Sequence, residues 1–368
     1  MTLKGLIPGK QQPTHKEAAH WQFGVIENNC KTVDPLLHYG CFVLGFQRDD
    51  IVDYVCNKMK NKKPEIAESV LEYEKLRLND ATYQLSNTLY SMSNGYRSIF
   101  ALSGSDANEG AVKLAAAYHH IKKNTKKTKI ISFEGSYHGS TFLNYNMGDL
   151  LFKNPFYNLP KYSAIQRLPR SFDVTHTDWS EVIAVVVETC SYGGDMKSNS
   201  VEFWKKLQHL QQEHDVLIIL DDIFVGGGKT GAYFGYHSIP IQPDIFTMGK
   251  AITAGYFPLS MMLYNEKIHD MLPKDFDWDH GFTYNFSLAG IYSALKYIDI
   301  LQKEHTLTNF DQIQQQATAC FKNNGVTILN RYGSMYMVQK GDYKNLYQMP
   351  LNADKEYFTV LSNDLRNI

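Results

Sequence analysis

Cysteine is scarce and dispersed in this chain. The five thiols, Cys30, Cys41, Cys56, Cys190 and Cys320, are odd in number and never fall in C-x-x-C spacing. That excludes a zinc ribbon or a disulfide framework, leaves no metal site to expect, and fits a reducing compartment. Charge of one sign is also missing: Lys and Arg number 37 against 38 Asp and Glu. Nothing in that balance asks for nucleic acid or an acidic membrane as partner. No apolar run approaches the length of a membrane span, and the first residues, MTLKGLIPGKQQPTHKE, lack the apolar core of a signal peptide. A cytoplasmic protein without membrane or nucleic-acid partners is expected.

What the sequence does have is alternation of strand and helix. With 368 residues and 43% hydrophobic content it can build a large domain and a smaller second one. Residues 1–45, broken by Pro8, Pro13 and Pro35, read as an arm that also forms part of the small domain. Helical spacing follows over Asp49 to Met59, with a run Lys60 to Lys63, and again over Tyr83 to Met92. Ile99 to Leu102, Lys129 to Phe133, Val182 to Val187, Val216 to Leu220, Ile245 to Met248 and Pro258 to Leu263 read as strands. Helices are expected over Ala107 to His120, around Phe203 to Leu210, and over 287–304. The order predicts an α/β protein with a mainly parallel sheet. After the last helix, Val326 to Leu329 and Met335 to Val338 suggest a small α+β unit.

The chemistry collects where these strands stop. Val216 to Leu220 ends at Asp221 and Asp222, and Ile245 to Met248 ends at Gly249 and Lys250. In an open α/β sheet the carboxyl edge is where ligands bind, and an acid facing an amine there suits a cofactor with a ring nitrogen to protonate and a carbonyl for the amine. Paired Asp residues also cap turns or bind metals, so the pair alone leaves both readings open. Ser103-Gly104-Ser105 follows the first of these strands, and Asp106 with Glu109 has the spacing of a capping box. Free amides, two hydroxyls and a missing side chain there can take a phosphate, or serve only the helix's own first turn. Tyr137 and His138, on a Gly-bounded loop after a strand, can stack on a flat ring or form a surface turn. Glu188 closes the Val182 strand, so strand ends at Ser103, Glu188, Asp221 and Lys250 converge on one edge. The lysines from Lys122 to Lys129 read as a solvated helix end.

From about Asp34 to Ala289 the chain resembles the class III, or omega-type, aminotransferases, pyridoxal-phosphate enzymes of fold type I. The resemblance is carried by SGSDANEGAVKLA at 103–115, YHG at 137–139, LDDIFVGGGKTG at 220–231, PDIFTMGKA at 243–251 and HGFTY at 280–284. It implies a large domain with a seven-stranded-type sheet between helices over 46–286, and a linking helix with a shortened small domain over 287–368. It implies that Gly104 and Ser105 hold the cofactor phosphate, with Ser103 beside them. Tyr137 and Ile223 would press on the two ring faces, and Asp221 would pair with the ring nitrogen. Lys250 would be the Schiff-base lysine. Glu188 matches a glutamate near the ring. Thr283 matches a threonine that reaches the cofactor of a neighbouring subunit, which implies a homodimer with shared sites. The activity implied is ping-pong transfer of an amino group from a primary amine or amino acid to a keto acid or aldehyde.

Several positions depart from the family pattern. Asp222 stands where Glu is usual, Lys229 where Arg is usual, and Thr189 where proline is usual. The loop running to Gly193-Gly194 is short and lacks the acidic residue that some members use to switch a substrate-binding arginine. The stretch 285–289, NFSLA, lacks the usual Gly and Pro, and the tail after Lys250 is short for the family. Arg331 and Arg366 are the candidates for a carboxylate-binding arginine, and Trp21 is either a pocket residue reaching in from the arm or a packing residue of it. The same lysine and electron sink also serve aminomutases and decarboxylases, and a cofactor-binding protein without turnover is the rival outside enzymes.

Overall fold

The structure is a computed structural model that describes residues 19–27, 29–61, 80–148, 160–191, 193, 196–304 and 306–368. Pro8, Pro13, Lys62, Lys63 and Gly194, on which parts of the sequence reading fall, lie outside the described residues.

Val182–Glu188 is the most hydrophobic of the described strands, and all seven of its residues are buried. A strand buried on both faces needs layers above and below it, and here helices provide both. Around it lies a seven-stranded sheet. In chain order its members are β1 (Arg97–Ala101), β2 (Lys129–Phe133), β3 (Ile165–Leu168), β4 (Val182–Glu188), β5 (Leu217–Asp221), β6 (Ile245–Met248) and β7 (Ser260–Tyr264). Their order across the sheet is β1-β7-β6-β5-β4-β2-β3. β4 pairs in parallel with β2 and β5, β5 with β6, and β2 with β3. β7 runs antiparallel to both β6 and β1, so it alone is reversed. The mainly parallel α/β fold read from the sequence is the fold observed.

Side-chain alternation sorts the two faces. Ile218, Leu220, Phe246 and Met248 pack with Phe203, Leu207 and Ile291 in one core. Leu217, Ile219 and Ile245 pack with Ala111, Leu114 and Ala115 in the other. The second face is covered by α1 (Gly104–Ile121), whose small Ala residues let helix and sheet approach closely. On that same face the period-two pattern carries forward to Thr247, Asp221 and Glu188, which the register sets side by side across β6, β5 and β4. The sheet thus turns from apolar to polar at its carboxyl edge, in one row.

A third core lies apart from the sheet. An antiparallel hairpin pair near the start (Ala19–Trp21, Gly24–Glu27, Cys30–Val33) brings Trp21 and Phe23 against Phe321, Tyr336, Tyr347 and Tyr357. The partners come from helices Phe310–Asn323 and Lys355–Arg366 and from a three-stranded antiparallel sheet, Thr327–Tyr332, Met335–Lys340 and Tyr343–Gln348. Trp21 is 4% exposed and gives its indole N–H to the Thr32 carbonyl, so it packs in this core rather than lining the sheet edge. No helix among the described residues is long and apolar enough to cross a membrane.

Two local expectations are corrected. The helix does not begin at a cap formed by Asp106 and Glu109. Its N-cap is Ser103, extended at φ −138° and ψ 163°, whose hydroxyl accepts the Asp106 amide at 3.2 Å. Asp106 reaches back to the Leu102 amide, and Glu109 instead accepts the Thr141 hydroxyl. Nor is the Lys122 to Lys129 cluster merely solvated. Lys127 donates to the carbonyls of Trp179, Val182 and His214, and Lys122 pairs with Asp215 at 2.7 Å. These lysines close the amino-end edge of the sheet.

Candidate active site

Moving the cap to Ser103 places Gly104 and Ser105 in the first helical turn. Their amides, two of the N–H groups that a helix start leaves without an intrahelical acceptor, find none among the described residues. Two glycines keep the approach open. A Cβ on Gly104 would come within 2.7 Å of Ile223 Cδ1, and one on Gly139, at φ +117°, within 2.2 Å of Ser105 Oγ. Ser105 Oγ accepts the Ser140 amide at 3.2 Å, which ties the 137–140 loop to the helix start. This is an anion cradle with a helix dipole behind it.

Asp221 lies deeper in the same edge and is 6% exposed. Its Oδ2 accepts Asn108 Nδ2 at 2.8 Å and stands 2.9 Å from His138 Nδ1, while Oδ1 accepts the Ile223 amide at 3.2 Å. Asn108 is fully engaged: it also donates to the His138 carbonyl at 2.8 Å and accepts the Thr247 hydroxyl at 2.7 Å. The carboxylate is therefore held by three elements at once, and its orientation is fixed before any ligand arrives. His138 is buried, and its Nε2 meets no hydrogen-bond partner among the described residues.

Lys250 follows β6 with φ +50°, a left-handed conformation that costs a side-chain-bearing residue about 1–2 kcal/mol. Burial lowers the proton affinity of its amine, and the charges of Asp221, Cys41 and Glu188 act the other way. Its Nζ stands 5.2 Å from the centroid of the Phe224 ring. Ile223, beside it in sequence and 8% exposed, caps the Gly104 cradle. Tyr137 is half-buried, and burial together with the Asp221 charge raises its phenol above the usual range. Glu188, 6% exposed, pairs with Arg170 at 3.5 Å.

Of the residues singled out from the sequence, Ser103, Gly104, Ser105, Tyr137, His138, Glu188, Asp221, Ile223 and Lys250 thus meet along one edge. Thr283 does not join them. It is exposed in a loop fastened to α1 by His280, whose Nε2 lies 2.9 Å from Asp106 Oδ1. Arg331 sits on the exposed face of its strand, and Arg366 is engaged with Asn324 and Ser362, so neither reaches the edge. An arginine that does reach it is Arg170, held between Glu188, Ser136 and Asn199. Asn108, Lys229 and Arg170 were not singled out for the site. Asn108 left a signal as an amide on an otherwise Ala-rich helix face, and Lys229 as a departure from the family pattern.

The residues fit pyridoxal 5'-phosphate: a helix-start anion cradle of free amides and the Ser105 hydroxyl, a buried fixed carboxylate for a ring nitrogen, and an amine of lowered basicity. A family model for class-III aminotransferases matches residues 25–326. An acetylornithine aminotransferase of Methanothermobacter thermautotrophicus is 33% identical over 224 residues, which are 60% of this chain and 54% of that protein. An acetylornithine/succinyldiaminopimelate aminotransferase of Buchnera aphidicola is 32% identical over 245 residues, covering 64% of this chain and 57% of that one. The chain thus spans little more than half the length of these relatives. Among solved structures, a transaminase from the marine bacterium Virgibacillus superposes with a TM-score of 0.80 at 18% identity, over 94% of this chain and 90% of that one. An aminotransferase of Bacillus anthracis gives 0.80 at 18% identity, over 99% and 96%. At such identity the likeness speaks for the fold.

Proposed function

The chain belongs to the class III aminotransferases, which depend on pyridoxal 5'-phosphate, and we propose that it moves an amino group from a primary amine or amino acid to a keto acid or aldehyde in two half-reactions. The observation that carries this reading is the row at the sheet edge, where a buried carboxylate fixed by Asn108 and His138 shares a site with the amine of Lys250.

Bound there, the cofactor supplies an electron sink for the pair left when a proton leaves the carbon next to the substrate nitrogen. The chain does the rest. Gly104 and Ser105 would hold the phosphate through amides and hydroxyl, and Ser103 keeps that turn in shape by its cap. Tyr137 and Ile223 would clamp the ring from two sides. Asp221, as an anion, would keep the ring nitrogen protonated through a charge-assisted hydrogen bond. Lys250 Nζ would take the proton at the substrate carbon as general base and return it as general acid. Burial lowers its basicity, which favours the base task.

A homodimer belongs to the proposal. Thr283 is exposed beside Phe282, 58% exposed, and Tyr284, 71% exposed, an aromatic tip that one chain leaves uncovered. Thr283 would reach the phosphate of the partner's site. Sedimentation of the active protein should give a dimer, and mixing Lys250→Ala with Thr283→Ala chains should restore activity in one site of the hybrid. A fully active monomer would sink the shared site. The division at residues 45/46 and 286/287, and a cytoplasmic location, are part of the same reading.

The test of the activity is a visible spectrum of the protein loaded with pyridoxal phosphate, followed as donors are added. Acetylornithine is the first to try, since the similar proteins are named for it. The yellow band should bleach with one donor class and return on addition of a keto acid. A band that never forms removes the catalytic reading. Product formed over many turnovers without any keto acid, beyond one equivalent per site, turns it into a mutase or decarboxylase.

A further inference from the structure

One strand residue at the edge carries a hydroxyl that packing alone does not call for. Thr247 is 0% exposed in β6, on the face covered by α1, where a hydroxyl is costly unless it is bonded. It donates to Asn108 Oδ1 at 2.7 Å. Asn108, 1% exposed on α1, passes both of its N–H bonds onward, to Asp221 Oδ2 at 2.8 Å and to the His138 carbonyl at 2.8 Å. The partners assign every proton in this chain of bonds. A carboxylate and a carbonyl only accept, so the Asn108 nitrogen must face them, and its oxygen is left to accept from Thr247. Four elements therefore meet in two side chains: β6, which delivers Lys250, α1, whose first turn is the anion cradle, β5, which ends in Asp221, and the 137–140 loop, which carries Tyr137.

We propose that Thr247, acting through Asn108, is a positioning residue for the proposed reaction: the pair fixes the Asp221 carboxylate and the Tyr137 loop relative to the strand that delivers Lys250. Thr247 itself touches no reacting atom. It holds the Asn108 amide, and the amide holds the two groups that would meet the cofactor ring at its nitrogen and on its face. Asp221 Oδ2 takes the Asn108 N–H and stands 2.9 Å from His138 Nδ1, while Oδ1 takes the Ile223 amide at 3.2 Å and keeps a lone pair for a ring nitrogen. Without the Thr247 hydroxyl, the Asn108 oxygen is buried with no donor, and the amide gains by turning toward another one. Both of its N–H bonds then lengthen or break, and the carboxylate and the loop move together. Valine has the same shape as threonine and suits a buried strand as well, so the fold by itself gives no reason for the hydroxyl.

The inference rests on the proposed function, and its test separates the two. Thr247→Val keeps the shape and removes the donor. With the amine that bleaches the yellow band, kcat should fall by about 10–10²-fold while KM stays within about threefold, because placement is lost and substrate affinity is not. Thr247→Ser returns the hydroxyl and should return most of the rate. Combining Thr247→Val with Asn108→Ala should cost no more than Asn108→Ala alone, as for residues that act as a unit. A wild-type kcat per folded molecule in Thr247→Val, with only thermal stability lowered, makes the pair structural and overturns the proposal, and so do single losses that multiply in the double variant. Should Thr247→Val fail to fold, Thr247→Ala removes the same donor and takes its place. A second readout needs neither donor nor cofactor. His138 Nδ1 faces a carboxylate and must carry its proton, which gives a slowly exchanging imidazole resonance in the cofactor-free chain, assigned by its loss in His138→Gln. Thr247→Val should shift that resonance and speed its exchange, and Thr247→Ser should leave it in place. A lost rate with the resonance unmoved overturns the proposal. A chain that takes up no pyridoxal phosphate but shows the shift loses the proposed function and keeps the positioning pair.

Discussion

Lys250→Ala is expected to fold, to bind pyridoxal phosphate only loosely, to develop no yellow band, and to turn over at least about 10⁴-fold more slowly than the wild type. The size of the loss follows from the number of tasks one amine carries. In the proposed reading it would hold the cofactor and move the proton at the substrate carbon, and among the described residues no free amine at the edge could take over. Lys229 is spoken for by the carbonyls of Phe224 and Gly226. Folding should survive because alanine meets the same left-handed φ of +50° that lysine does, so the backbone cost is unchanged. Removing a partly buried amine also removes a desolvation cost. Thermal unfolding of the variant within a few degrees of wild type would separate lost chemistry from lost structure. Retained yellow absorption at full strength would mean that another lysine holds the cofactor, and the assignment of Lys250 would be wrong.

The sheet and its edge were legible for one reason: strands buried on both faces write themselves as unbroken apolar runs. Val182–Glu188 and Ile245–Met248 end in the structure where the runs end, and the charges that terminate them mark the edge. β3 was missed because Ile165–Leu168 lies at the rim, half-covered, with Gln166 and Arg167 interrupting any apolar pattern. The strand Tyr343–Gln348 and the helix Phe310–Asn323 escaped for a similar reason. The strand buries only Leu346, Tyr347 and Gln348, and the helix only Phe310, Ile313, Ala317 and Phe321, few apolar positions amid many polar residues. Long-range partners were beyond reach in principle. Nothing local to Asn108 says that a carboxylate 113 positions away will need its amide, nor does the Lys122 to Lys129 run announce the carbonyls it will cap. Trp21 shows the same limit: an aromatic in an arm can serve a pocket or a core, and only the packing against Phe23 decides.

Asp221→Asn is the sharper probe, since it changes a charge and almost no shape. The cradle at Gly104 and Ser105 is remote from the substitution along the chain and rests on amides, so uptake of pyridoxal phosphate should persist. Turnover should fall by about 10²–10³-fold, the usual consequence of removing one preorganised electrostatic partner from a reaction that develops charge. The hydrogen-bond geometry adds a second penalty. Both oxygens of Asp221 accept, one from the Ile223 amide and the other from Asn108, with His138 Nδ1 at 2.9 Å. Whichever way an asparagine amide turns, its NH₂ faces a donor, so the side chain must twist or His138 must change tautomer to accept. A carboxylate that only held the fold together would respond differently, because asparagine would then lower stability while leaving the rate per folded molecule intact. Rates within a few-fold of wild type, with the yellow band unchanged, would therefore assign Asp221 to structure and leave the ring nitrogen without its partner.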